Sequence, residues 1–398
     1  MGISGGVDSA VSALLLKKAG YDVTGVHLYC WPPKSEVEKD GLTREEWIKK
    51  NGCRADEDRA SALKTCLELG IPFKVLDFSE EYNNRVIKYF YEEYEAGRTP
   101  NPDVLCNSEI KFGLFLDWAM ENNFDYIATG HYAKLEDGLD RTNAVLTPVG
   151  SAPRMIPRGF VSAPAPSFRL CIPKDKHKDQ TYFLWKLTQN ELSKVMFPLG
   201  DLVKNEVRQM AKEAGLSVAD KKDSQGICFV GNVEVREFLA RRLKEKPGKV
   251  MDTEGNEVGT HDGVWFYTVG QRGGWTLDPK TQKLRNSKTQ NGETEVFYII
   301  SKDATNNTLV VGEADKAVKD LFEVEEVNLM SPQKRDLEKI SELFVRIRHG
   351  GELIGARVSK SEHGYWVELT KAVRGVASGQ SAVFYDGKGE CLGGGVIA

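Results

Sequence analysis

Ser4-Gly5-Gly6-Val7-Asp8-Ser9 (SGGVDS) stands near the start of this 398-residue chain. Paired glycines let a backbone pass close to a ligand in conformations other residues avoid. The two serines and the N–H groups around them can donate to phosphate oxygens. Val11, Leu14 and Leu15, ahead of Gly20, have helical spacing, so a helix N-terminus points at whatever the loop holds. A glycine pair alone reads as a helix-capping loop; the whole hexapeptide opening a helix reads as a phosphate site. Asp8 cannot attract phosphate by charge, but it can position a magnesium ion or cap the helix. No GxxxxGK[ST] occurs in the chain, which sets the loop apart from those of P-loop kinases and ATPases.

A doubly wound sheet needs a strand before its first nucleotide-binding loop, and only Met1 to Ile3 precede Ser4. The first strand is therefore expected to be lost, or the gene model to begin late, with the stability of the nucleotide domain in doubt. Further along, strands and helices alternate: Asp22 to Tyr29, Asp58 to Leu69, Phe73 to Phe78, a helix through Tyr94, Ile110 to Met120, and Asp125 to Thr129. This pattern argues for a parallel α/β sheet with ligands at strand ends. Residues 33–56 read as charged and irregular. Residues 138–170, Pro-rich and aperiodic, read as a surface insertion. Beyond about Gly231 the texture becomes β-rich. Short strands are expected at Val250 to Gly259, Gly263 to Val269, Glu295 to Ile300 and Thr308 to Val311. More follow at Leu343 to Ile347, Gly355 to Val358, Tyr365 to Leu369 and Ser381 to Tyr385. The expected architecture is thus a doubly wound nucleotide domain over 1–230, a central β-rich domain over 231–313 and a C-terminal β-barrel over 314–398.

Composition is that of a soluble globular protein, with 40% hydrophobic and 28% charged residues. No apolar run approaches the roughly 20 residues of a membrane span. A net charge of −4 excludes broad attraction to nucleic acid, so any RNA binding would use local patches. Residues 236–249 (REFLARRLKEKPGK) and 280–288 are candidates, with Trp265 and Trp275 nearby; a solvated helix face is the plainer reading of either. Seven cysteines without CxxC or zinc-site spacing suit a reducing compartment. Cytoplasm is the expected location, or the mitochondrial matrix if a leader is missing.

Two cysteines lie in chemically suggestive settings. In Asn101-Pro102-Asp103-Val104-Leu105-Cys106-Asn107 a thiol stands where a loop enters a helix, which favours thiolate. Asp103 could move a proton. Taken alone, Cys106 reads more readily as a small buried apolar residue and Asp103 as an N-cap. In Asp223-Ser224-Gln225-Gly226-Ile227-Cys228-Phe229 a second cysteine follows Lys221 and Lys222, whose charges would favour its thiolate.

SGGVDS resembles the PP-loop of the ATP pyrophosphatases. In chain order SGGVDS, NPDVLCN, TGHY (129–132), KDQTYFL (178–184), DSQGICF, YTVGQR (267–272) and SGQSAVFY (378–385) resemble the tRNA-specific 2-thiouridylases over nearly the whole chain. The resemblance implies ATP and Mg²⁺ at Gly2, Ile3, Ser4, Gly5, Gly6, Val7, Asp8 and Ser9, with Leu28 and Gly130 lining the adenine side and Asp8 holding the metal. It implies adenylation of O2 of a wobble uridine in tRNAs such as those for Lys, Glu and Gln. Cys228 would carry sulfur as a persulfide received from a cysteine desulfurase or relay proteins, and Cys106 would attack it, leaving a transient Cys106–Cys228 disulfide. Asn101, Pro102 and Asp103 would meet the target base. His131, Lys178, Asp179, Gln180, Arg348, His349 and Gln380 would contact tRNA, His131 reading alternatively as a buried histidine. The remaining cysteines read as packing residues. The 138–170 insertion and Gly273-Gly274-Trp275 depart from the family pattern. Two rival readings are another PP-loop enzyme adenylating a small substrate and an RNA-binding protein without catalysis.

Overall fold

The sheet behind the glycine loop is buried at its centre and exposed towards its edge at Phe73–Asp77. Gly25–Tyr29 is buried along its whole length and pairs in parallel with Phe73–Asp77. These relations come from a computed structural model, which describes residues 1–51, 54–137, 167–222, 230, 234–286, 296–330 and 336–398. The first-strand position is not empty. Val26 N donates to Met1 O at 2.8 Å, Ile3 N to Val26 O at 2.8 Å and Gly2 N to Ala128 O at 2.9 Å. Three residues thus bridge both neighbours, with Ile3 1% exposed. On the far side Ile127–Ala128 pairs in parallel with Val195–Met196. The spatial order is 73–77, 25–29, 1–3, 127–128, 195–196, a sheet that grows outward in both directions from the first segment. The loop at 4–9 leaves the end of that central segment, at the switch point where doubly wound sheets bind ligands.

The helix after the loop runs Val7–Lys18, and Gly20 ends it at φ 87°. Residues 33–56, expected to be irregular, contain helices Lys34–Lys39 and Arg44–Asn51, each held by one buried side chain, Val37 and Trp47. Ala55–Leu69 matches the helix expected there, closed by Gly70 in the left-handed region.

The expected insertion is narrower than 138–170. Lys134–Asp137 and Phe168–Cys171 form an antiparallel hairpin whose second strand pairs with the C-terminal domain, Glu390 opposite Cys171 and Cys391 opposite Leu170. The residues between, 138–166, lie outside the described part of the chain.

The central domain is a five-stranded sheet ordered Tyr298–Asp303, Thr308–Gly312, Gly248–Met251, Glu257–His261, Thr276–Leu277. The strand expected over Gly263 to Val269 is instead a turn of 3₁₀-helix, Val264–Phe266. The C-terminal domain is a closed barrel of six strands. Val318–Leu329 pairs with Gly364–Arg374, then follow Ile354–Lys360, Leu343–Arg346, Ser381–Asp386 and Glu390–Ile397, which pairs back to the first. Val324, Val345, Val367 and Phe384, all fully buried, fill it.

Candidate active site

The glycine loop keeps its shape through its own serines. Ser4 N donates to Ser9 Oγ at 3.2 Å, and Ser9 Oγ donates to Gly6 O at 3.1 Å. Gly5 has φ 82°, and a Cβ there would overlap the Asp58 carbonyl, so only glycine fits. Gly6 is the N-cap and supplies no side-chain acceptor. The first-turn N–H groups of the helix are therefore uncapped by side chain, the arrangement that receives an anion. Gly130 lies against this turn: a Cβ on it would stand 2.8 Å from Ser9 N. Leu28 is buried in its strand, as are Ile3 and Val7.

Asp8 is not placed as a metal ligand. Lys204 Nζ stands 2.7 and 2.8 Å from its two carboxylate oxygens, and the Tyr132 hydroxyl donates to Oδ1 at 2.9 Å. An ammonium occupies the position a cation would need, and no cluster of three or more potential ligands occurs among the described residues. The site does not fit a magnesium ion held on Asp8. Neither Lys204, 9% exposed, nor Tyr132 can be linked to Asp8 from the sequence, because 196 and 124 residues separate them from it. Lys221 was expected to favour a thiolate at Cys228. Its ammonium meets Gly5 O at 2.9 Å, Asp58 Oδ1 at 2.8 Å and Ser61 Oγ at 3.3 Å, while Cys228 lies outside the described residues. Two lysines thus bracket the loop, each held in place by a carboxylate.

The helix carrying Cys106 starts at Pro102, whose missing N–H costs nothing in a first turn. Asn101, not Asp103, is the N-cap residue. Asp103 sits half-buried in the first turn, and Cys106 is fully buried where the α-helical turn passes into a π-helix over Cys106–Leu114. π turns recur at functional sites. Asn101 hydrogen-bonds the hydroxyl of Tyr182. Cys228 and the whole of 223–229 lie outside the described residues, as does any disulfide to it. Among the other cysteines, burial pushes the Cys66 thiol up to about 11, Cys171 up to about 12 and Cys391 further up, away from thiolate.

The residues expected to contact tRNA divide by exposure. Arg348 and His349 are exposed and Lys178 is half-buried. His131 is 8% exposed, bonded through Nδ1 to Thr129 Oγ1 at 2.8 Å and set against the rings of Phe112 and Phe197. Burial, with the Lys111 charge, holds it well below the usual histidine range; it is the buried histidine. Asp179, 2% exposed, pairs with Arg346 at 2.6 Å. Gln180 exchanges bonds with the Tyr132 backbone, its Oε1 accepting from Tyr132 N at 2.9 Å. Gln380 donates to Thr99 O and Pro100 O. These last three make intramolecular bonds, Asp179 buried and the two glutamines half-buried. His349 Nε2 lies 3.1 Å from Asp179 O, and its ring stacks on Phe183 at 4.5 Å. Partial desolvation of the ring lowers its pKa, opposed by that bond and by the charges of Asp179 and Asp103.

The basic stretch 236–249 is largely spent on internal partners. Arg236 pairs with Asp262, Arg242 with Glu36, and Lys249 with Glu257. Arg241 lies over the Trp47 and Phe238 rings. A cavity of about 340 Å³ borders this stretch, lined by Glu95, residues 242–246 and Trp265; none of the glycine-loop residues, Asp103 or Cys106 lines it.

Three family models cover the chain in succession: tRNA methyl transferase HUP domain over residues 1–232, tRNA methyl transferase PRC-barrel domain over 236–313, and aminomethyltransferase beta-barrel domain over 319–397. A Lactococcus lactis subsp. cremoris protein named tRNA-specific 2-thiouridylase MnmA is 40% identical over 405 residues, covering 100% of this chain and 93% of its own. A protein of the same name from Enterococcus faecalis is 40% identical over 404 residues, covering 100% and 94%. No described helix is long and apolar enough to cross a membrane. With a HUP-type sheet, an uncapped glycine loop at its switch point and likeness along the full length, the chain belongs to the tRNA-specific 2-thiouridylase family.

Proposed function

We infer that this chain is an ATP-dependent sulfurtransferase that converts the wobble uridine of tRNA to 2-thiouridine. The observation that carries the reading is full-length identity of 40% to proteins named for that reaction. The glycine loop and the uncapped N-terminus of Val7–Lys18 would take the phosphates of ATP, as substrate. Asp8 has a different task from the one expected: it holds the Lys204 ammonium against the loop, where a cation offsets phosphate charge. Magnesium accompanying ATP would find its ligands elsewhere, and no step here depends on it.

Asn101 and Asp103 would face the uracil ring, Asp103 receiving the proton as O2 attacks the α-phosphorus and pyrophosphate leaves. The Cys106 thiolate would then attack the Cys228 sulfur of a Cys228 persulfide. One S–S bond forms between the cysteines as the other breaks, and hydrosulfide is released beside C2. Its addition expels AMP and leaves C2=S. The resulting disulfide needs a two-electron dithiol reductant before the next turnover. A cysteine desulfurase or relay protein would load Cys228. Exposed Arg348 and His349, with Lys178, are the candidates left for tRNA contact.

Mass spectrometry of tRNA nucleosides after reaction with ATP and a persulfide donor tests this. Wild type should form 2-thiouridine, and Cys106→Ser and Cys228→Ser should each lose it. With free sulfide, Cys228→Ser should retain part of the activity because the carrier step is bypassed. Thiolation at the wild-type rate by either variant with the persulfide donor would overturn the two-cysteine reading. Adenylation of a small substrate without tRNA would favour the rival PP-loop chemistry.

A further inference from the structure

The stretch leading into the Cys106 helix is held from outside its own domain. A Cβ at Gly97 would stand 2.8 Å from Ala304 Cβ, and Thr99 Oγ1 lies 3.4 Å from Thr268 Oγ1, both in the central domain. From the barrel, Ser378 O accepts from Thr99 N at 2.8 Å. Gln380 Nε2 donates to Thr99 O at 2.9 Å and to Pro100 O at 3.3 Å. Gly379 approaches so closely that a Cβ there would be 2.9 Å from Thr99 N. The clamp is itself anchored in the sheet, since Ile397 N donates to Gln380 O at 2.7 Å and Gly379 N to Ile397 O at 2.8 Å.

Pro100 and Pro102 have no N–H, so this stretch can be anchored chiefly through its carbonyls. Thr99 and Pro100 are buried, and carbonyls left there without a donor would be costly. An amide is the neutral side chain that offers two N–H groups. Two residues after Pro100 the helix begins, and its first turn holds Asp103 and leads to Cys106.

We propose that Gln380 is a positioning residue for thiolation: by holding the Thr99 and Pro100 carbonyls it sets where the Pro102 helix starts, and so where Asp103 and Cys106 stand. This rests on the roles given to those two residues above, and it gives Gln380 a task distinct from tRNA contact. Displacement of reacting groups by about 1 Å can cost on the order of 100-fold in rate.

The test is the division of the effect between binding and turnover. Gln380→Glu removes both donors and sets a carboxylate against two carbonyls; Gln380→Met removes the donors at similar size and without charge. Circular dichroism and thermal melts select the variant that keeps the fold. In that variant, single-turnover 2-thiouridine formation at saturating tRNA and ATP should fall about 10- to 100-fold, with tRNA affinity by filter binding within about twofold of wild type. Weaker tRNA binding with an unchanged saturated rate would make Gln380 a tRNA contact and overturn the proposal. No change in either would reduce the bonds to packing and overturn it too. Undiminished thiolation by Cys106→Ser would instead remove the reading beneath the proposal, an outcome separable from failure at Gln380 itself.

Discussion

Replacing Asp179 by asparagine isolates one buried ion pair between the nucleotide domain and the barrel. Asp179 and Arg346 are 2% and 7% exposed. Asp179 Oδ1 accepts from Thr181 N at 2.9 Å and Thr181 Oγ1 at 2.7 Å, and Oδ2 accepts from Arg346 Nη1 at 2.6 Å. In the variant one amide oxygen can still serve Thr181, but the new NH₂ group faces a guanidinium that can only donate. Arg346 Nε is already without a partner among the described residues, so the charge has no spare acceptor. Two unit charges about 4 Å apart interact by about 4 kcal/mol at an effective dielectric constant near 20. Breaking a buried pair on one side typically costs about 3–5 kcal/mol. Asp179→Asn should lose that much, whereas Asp179→Leu with Arg346→Met, which removes both charges, should lose far less than the two single changes together. Trp185, 1% exposed with Nε1 bonded to Ser381 Oγ at 3.0 Å, lies at the same interface. Urea unfolding followed by tryptophan fluorescence is therefore the assay, and the early transition is the one to follow, since three domains need not unfold in one step. Stability of Asp179→Asn within about 1 kcal/mol of wild type would refute the reasoning. A tenfold loss of tRNA affinity with stability intact would restore Asp179 as an RNA contact.

Gly5→Ala should abolish pyrophosphate release while the fold survives, because the added methyl meets the Asp58 carbonyl at a positive φ; release at the wild-type rate would show that the loop does not hold phosphate. Lys302 donates to Tyr267 O at 2.6 Å, and burial holds it down at about 8, against 10.5 for an ordinary lysine. Between those values the unfolded chain binds more protons than the folded one, so stability should rise with pH by about 3 kcal/mol across that window. Denaturation from pH 7 to 10.5 should show this rise in wild type and not in Lys302→Met. Because Arg242 pairs with Glu36 and lies 4.6 Å over the Tyr91 ring, Arg241→Ala with Arg242→Ala should change the salt slope of tRNA binding by less than the ~0.7 of one phosphate contact. A larger fall in filter binding across a salt series would return the patch to the RNA interface.

Much of this molecule is written locally. SGGVDS carries its own reasons: a glycine at positive φ, serines that close the loop, a helix start without a side-chain cap. The helix ending at Gly70 and the short barrel strands from Leu343 to Tyr385 follow likewise from short-range turn chemistry and runs of apolar or β-branched residues. Other elements could be decided only by the tertiary structure. Met1 to Ile3 are too short to announce a strand, yet two waiting neighbours supply the partners for their backbone groups. Glu390–Ile397 hides behind Gly393, Gly394 and Gly395, which weaken any strand signal. They are needed because Asn328, Trp185 and Glu325 press against that strand where a Cβ would stand. Gln180, Asp179 and Gln380 lie in motifs that pointed to a site, but only the folded chain shows that their bonds turn inward. Lys204 could not be found from the sequence at all. A buried ammonium that keeps its charge is best held beside a carboxylate, and which carboxylate meets Lys204 is settled by how the chain closes on itself.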